Sequence, residues 1–124
     1  MAGTGNGDDR RVYSLDRGWK FLLDSNGTSK HSSQSNATCA SPWCLPTFED
    51  GSWRSVNVPH DFVVEGTFSQ SADMAHGYLP YGIGLYRKRV AAPSSDEEAQ
   101  MLAAGSLTAI LVFDGVQRDS DVSI

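Results

Sequence analysis

The run LTAILVF at residues 107–113 puts an apolar side chain at nearly every position. A strand with one solvated face alternates apolar and polar residues, so a continuous apolar run demands cover on both faces. This segment is therefore expected to be a central strand between packed layers, extending over 107–114. Further strand-like runs recur at 12–15, 19–24, 54–58, 85–92 and 118–124, separated by clusters of Gly, Pro, Asn and Asp. Short strands punctuated in this way predict an all-β sandwich. One short surface helix interrupts the pattern at 96–104. Ser95 stands three residues before Glu98, the capping-box spacing, and Gly105 offers a left-handed stop.

At 124 residues the chain holds one domain at most. A hydrophobic fraction of 40% with 12 Gly and 5 Pro is globular rather than fibrous or disordered. The formal net charge of -5 argues against a nucleic-acid partner, which would require clustered Lys and Arg to neutralise phosphates. The basic run Arg87, Lys88 and Arg89 alternates across a strand and is expected to be solvated strand surface. No apolar stretch is long enough to span a bilayer, which takes about 18 residues, so no membrane partner is expected. Residues 1–10 are polar, lack the apolar core of a signal peptide and are expected to be a disordered leader. Residues 25–42 form a Ser/Asn/Thr-rich stretch expected to be a flexible loop.

Four segments carry more than patterning: FEDGSW at 48–53, VPHDF at 58–62, GYLPYGIGLYRK at 77–88 and FDGV at 113–116. In this order, with VYSLD at 12–16 and WKF at 19–21 ahead of them, they resemble the N-terminal β-sandwich domain of family 2 glycoside hydrolases, the β-galactosidase, β-glucuronidase and β-mannosidase group. Phe62 and Leu85 stand where the family usually has Trp, and Ser123 where it has an aromatic residue. The resemblance implies a jelly-roll-like sandwich (galactose-binding-domain-like) over residues 11–124, incomplete at its C-terminus. It also implies that the acid/base and nucleophile are glutamates of a separate downstream barrel, which would be this domain's main partner. The domain itself would be non-catalytic, pack on that barrel and shape its sugar pocket, with a modest leaning to the β-galactosidase branch. A free-standing carbohydrate-binding or interaction module is the alternative, which the coding sequence beyond Ile124 would distinguish.

Glycoside hydrolysis needs two carboxyl groups about 5–9.5 Å apart across the scissile bond. The local pair Asp61 and Glu65 is eligible by type, but four-residue spacing in a loop or strand does not force the two together. Asp61 is read as either part of the rim of a sugar pocket or, more simply, a turn residue accepting backbone N–H groups. Tyr78 and Tyr81, flanked by Gly and Pro, are candidate stacking platforms on that rim. Trp53, Tyr86 and Phe62 are expected in the core. Gly77, Gly82 and Gly84 precede no helix, so they make no phosphate loop. The three histidines lack metal-ligand spacing, and no metal or cofactor is expected. The sequons at Asn26 and Asn36, followed by Cys39 and Cys44, read either as a glycan-bearing loop closed by a disulfide in an exported protein or as chance sequons with free thiols.

Overall fold

A computed structural model describes residues 11–25, 41–79, 81–91, 95–117 and 119–124. Three strands, β1 (Trp19–Asp24), β2 (Arg54–Val56) and β3 (Ile83–Arg87), form an antiparallel sheet in the order β2-β1-β3. One helix, α1 (Asp96–Ala103), and two single 3₁₀ turns, Pro42–Cys44 and Met74–His76, complete the regular structure. The described residues thus make a small β domain with one helix, in a single sheet.

β1 is central because its sequence suits both neighbours. Gly18, at φ 73°, swings the chain into the strand. WKFLLD then supplies aromatic and branched residues at alternating positions. Phe21 lies opposite Arg54 on one side and Tyr86 on the other. Side chains of a strand alternate between faces, so Phe21, Arg54 and Tyr86 share one face, and their rings and guanidinium do meet. The Phe21 ring is 4.9 Å from that of Tyr86, and the Arg54 guanidinium lies 5.3 Å from its centroid.

Each face of this sheet is covered by a loop. On the Phe21 face, the turn after β2 brings His60 to 4.8 Å and Phe62 to 5.8 Å, ring centre to ring centre. Phe62 seats there because Gly84 carries no side chain: a Cβ at Gly84 would stand 2.9 Å from Cε1 of Phe62. On the opposite face, Arg87 gathers residues 43–50. Its Nε donates to the Trp43 carbonyl at 3.0 Å and Nη2 to the Leu45 carbonyl at 2.9 Å, while Nη1 pairs with Asp50 and the guanidinium lies over Phe48. Phe48 in turn meets Trp53 edge to face at 5.7 Å. Among the described residues, Phe21 (5% exposed) and Trp53 (7%) are the buried apolar side chains, one on each face.

Three expected strands are absent among the described residues. Residues 12–15 are extended but unpaired; the chain there is held by Trp19 Nε1 donating to the Leu15 carbonyl at 2.6 Å and by the Val58 amide donating to Asp16 at 2.7 Å. Residues 107–114 form no strand, and Ile110 is 79% exposed. Residues 119–124 form none either, and Arg118 lies outside the described residues. Apolarity states a demand for cover without supplying it, and among the described residues no second layer or ladder partner meets that demand over 107–114. The jelly-roll sandwich is correspondingly not assembled from these residues. The remaining expected strands shift only at their ends, β2 stopping at Val56 and β3 running from Ile83 to Arg87.

The basic run differs from expectation in occupancy rather than direction. Arg87 and Arg89 face residues 43–50, the latter donating to the Phe48 carbonyl at 2.8 Å, while Lys88 reaches back to the Arg17 carbonyl and lies over Trp19. All three cations are committed to backbone carbonyls instead of being free strand surface. In α1, Ser95 Oγ accepts from the Glu98 amide at 3.2 Å, but the Glu98 carboxylate pairs with Arg11 and so completes only half of the capping box. The helix ends in a Schellman arrangement, with the Ser106 amide donating to Met101 at 2.8 Å, Gly105 to Leu102 at 3.1 Å, and Gly105 at φ 73°. It packs on none of the three strands.

Gly84→Ala is expected to lower stability by about 1–3 kcal/mol, the usual cost of overpacking, because the new methyl must displace the Phe62 ring. Gly51→Ala, where a Cβ meets nothing within 4 Å, is the matched control and should change stability by less than about 0.5 kcal/mol. Thermal melts of the two variants make the comparison.

Candidate functional site

Among the described residues, a hydrogen-bonded group of ionisable and polar side chains lies on the Phe21 face, where β2, β3 and the turn 57–66 converge. The turn leaves β2 through Asn57, whose Oδ1 accepts from the Gly18 amide at 3.1 Å, and through a cis Val58–Pro59 peptide. His60 then points inward, its side chain only 8% exposed. Nδ1 of His60 lies 2.7 Å from the Tyr86 hydroxyl; Nε2 lies 2.9 Å from Nη2 of Arg54 and 3.1 Å from Oε1 of Glu65. Glu65 Oε2 pairs with Arg54.

These contacts admit two proton arrangements. With the ring proton on Nδ1, Nε2 accepts from Arg54, which can only donate, Nδ1 donates to Tyr86 Oη, and the Tyr86 hydroxyl can donate to the His60 carbonyl at 3.4 Å. With the proton on Nε2, that nitrogen donates to Glu65 Oε1 and Nδ1 accepts from the Tyr86 hydroxyl. Glu65 is held below its ordinary carboxylate pKa, chiefly by the hydrogen bond and charge of Arg54 against an opposing desolvation, with a smaller contribution from His60. Tyr86 is pushed above its ordinary phenol value by burial, reinforced by the negative charges of Asp61 and Glu65 and opposed by Arg54.

The two carboxylates that sequence made eligible for acid/base work are engaged separately. Asp61 is exposed and folds back to accept from the Val63 amide at 2.9 Å, the turn role that chemistry favours for Asp there. Glu65 answers Arg54 and His60. A general acid for glycoside cleavage needs a raised pKa, and Glu65 has the opposite shift.

Tyr78 and Tyr81 lie on a different stretch. The hydrogen bond of Asp61 to the Val63 amide does not reach either of them. Tyr78 follows Gly77 in the left-handed region, at φ 60°, and lines a shallow depression with Phe68, Ser69 and Gln70. Tyr81 stacks on His76 at 4.6 Å. Cys44 closes the first 3₁₀ turn and is disulfide-bonded; Asn26, Asn36 and Cys39 lie outside the described residues. Among those described, no group of three or more His, Cys, Asp or Glu is placed to hold a metal, and no helix is long and apolar enough to cross a membrane. Sequence reading named Asp61 and Glu65 but missed the partnership of Arg54, His60 and Tyr86. His60 and Tyr86 are 26 residues apart, and the pairing of β1 with both β2 and β3 brings them together.

The two shifted groups predict opposite pH limbs. A raised Tyr86 pKa means that the folded state holds the phenol proton more tightly, so its stabilisation is whole below the ordinary phenol pKa and is lost as pH rises through the raised value. The lowered Glu65 pKa gives stabilisation present above the ordinary carboxylate pKa and lost as pH falls through the lowered one. Melting temperature followed across pH should show Tyr86→Phe flattening the alkaline decline and Glu65→Gln the acid decline. Unchanged profiles in both variants would contradict the geometry.

No family model matches this chain. It is 40% identical over 81 residues to Beta-galactosidase BoGH2A of Bacteroides ovatus, a match covering 64% of this chain and 9% of that protein. It is 32% identical over 114 residues to the "Putative beta-glucuronidase" of Formosa agariphila, covering 90% of this chain and again 9% of the relative. The chain therefore spans about 9% of the length of the curated relatives it matches. By sequence it is related to glycoside hydrolases.

Proposed function

We propose that this chain is the non-catalytic N-terminal sandwich domain of a family 2 glycoside hydrolase of the β-galactosidase type. Its three-stranded sheet would be one part of a jelly roll over residues 11–124, packed on a catalytic barrel further along the same polypeptide. Asp61, Tyr78 and Tyr81 would lie toward the rim of that barrel's pocket. The observation that carries this reading is that 90% of the chain aligns within 9% of a far longer relative, so its residues correspond to one small portion of that protein. The engagement of Asp61 by the Val63 amide and of Glu65 by Arg54 supports it, since each carboxylate already has a structural partner.

The chain on its own is expected to hydrolyse chromogenic β-galactosides, β-glucuronides and β-mannosides no faster than background. Turnover that survives repurification and falls in Glu65→Gln or Asp61→Ala would overturn the non-catalytic assignment. In a protein carrying the barrel, Asp61→Asn should cost about 0.5–1.5 kcal/mol of stability, the worth of one hydrogen bond, and leave kcat/KM nearly unchanged. A large loss of kcat/KM at unchanged melting temperature would place Asp61 in the sugar pocket instead.

A further inference from the structure

Nε2 of His60 is offered two partners that it cannot hold together. Nη2 of Arg54 stands 2.9 Å from it and Oε1 of Glu65 3.1 Å. A guanidinium only donates, and an ionised carboxylate only accepts. Without a proton, Nε2 satisfies Arg54 and turns its lone pair toward Glu65; with one, it satisfies Glu65 and turns an N–H toward the N–H of Arg54. One nitrogen therefore chooses between β2 and its own turn. Nδ1 imposes no choice, since the Tyr86 hydroxyl 2.7 Å away both donates and accepts.

The imidazole is the fixed member of this group. Its side chain is buried and its ring meets those of Phe21 and Tyr86 edge to face, whereas the Arg54 and Glu65 side chains are each about half exposed. Among the described residues, the groups around it are Arg54 from β2, Tyr86 from β3, the uncharged Phe21 from β1, and Glu65 from the turn, with Asp61 acting on Tyr86 by its charge. Lys20 and Arg87 alternate to the opposite face of the sheet. Glu65 is held below its ordinary carboxylate pKa, chiefly by Arg54 with His60 adding, so it stays ionised where histidines change charge. A protonated imidazole donates from both nitrogens, so Nε2 then serves Glu65 and sets a second cation against Arg54, which repels it. Arg54 is the partner with water to move into. We infer that His60 is a proton-operated clasp: neutral, it accepts from Arg54 and ties the turn 57–66 to β2; protonated, it donates to Glu65 within the turn and releases Arg54. The released guanidinium also leaves the Phe21 ring, over which it lies at 5.3 Å, so the sheet loses cover as the turn loosens. One proton in the range of about pH 5 to 8 thus selects between two arrangements of this face. The clasp belongs to the chain's own packing, with or without a catalytic barrel.

Long-range ¹H–¹⁵N correlation spectra of the ¹⁵N-labelled chain, recorded as pH is lowered from about 8 to 5, read which ring nitrogen carries the proton and which amides move with it. On the alkaline side His60 should be in the Nδ1–H form. As the ring takes up its second proton, the Arg54 side-chain signals and the amides of Val63, Glu65 and Gly66 should move with the same midpoint. His76, stacked on Tyr81, is the internal reference, and its titration should leave those amides still. In Arg54→Met the ring has no competing donor, so the neutral form should carry its proton on Nε2 and the shared response of the turn should be lost. The parent titration decides the matter even where that variant folds poorly. A neutral parent ring protonated on Nε2, turn amides that stay still while the ring titrates, a ring that takes up no second proton before the chain unfolds, or an unchanged response in Arg54→Met would each overturn the clasp.

Discussion

Phe21 is the contact on which the rest of the molecule depends. It occupies the middle of the central strand, it is 5% exposed, and it touches a residue from every other element on its face: Arg54 of β2, Tyr86 of β3, and His60 and Phe62 of the turn. Burying one phenyl ring contributes about 1.5–3 kcal/mol by area, and cutting such a ring to Ala typically costs about 3–5 kcal/mol once the cavity is included. Against a domain stability of about 5–15 kcal/mol, one side chain then decides whether sheet and turn hold together. The polar network of His60, Glu65, Arg54 and Tyr86 is built over this ring, so its geometry is inherited from the packing beneath it.

The opposite face follows a different logic. There the organiser is a cation, and Arg87 satisfies its guanidinium with carbonyls of Trp43 and Leu45, with Asp50 and with the face of Phe48. Such planar, multi-partner geometry is specific to Arg. It anchors residues 43–50, which form no strand, and Phe48 of that segment meets Trp53. A single sheet is in this way covered on both faces by loops, one seated by aromatic packing and the other by charge-assisted hydrogen bonds.

What could be read in the sequence divides along physical lines. β1 was legible to the residue, since its aromatic and aliphatic positions are bounded by Gly18 and by the turn at Ser25. The helix was legible from Ser95 and Gly105, because caps are local chemistry. The run 107–113 was misread because apolar composition specifies what a segment requires and not what surrounds it. Arg87 and Lys88 were misread as solvated, since the carbonyls they bind lie about forty and seventy residues away in sequence. Of the candidate site's residues, Glu65 alone was legible as eligible for acid/base work; Asp61, Tyr78 and Tyr81, also singled out, lie outside its hydrogen-bonded group. The connectivity of that group was not legible: Arg54, His60, Glu65 and Tyr86 meet only through strand register.

The claim that Phe21 binds sheet and turn into one cooperative unit is tested most directly by residue-resolved amide hydrogen exchange in Phe21→Leu. The smaller side chain keeps apolar character but loses the ring contacts with His60, Phe62 and Tyr86. Protection of the β1 amides, of Val58 (bonded to Asp16) and of Gly66 (bonded to Val63) should fall by one common factor, on the order of tenfold for a loss near 1.4 kcal/mol. If the β1 amides lose protection while Val58 and Gly66 keep theirs, the turn is held by its own hydrogen bonds and Phe21 is not the keystone of this fold.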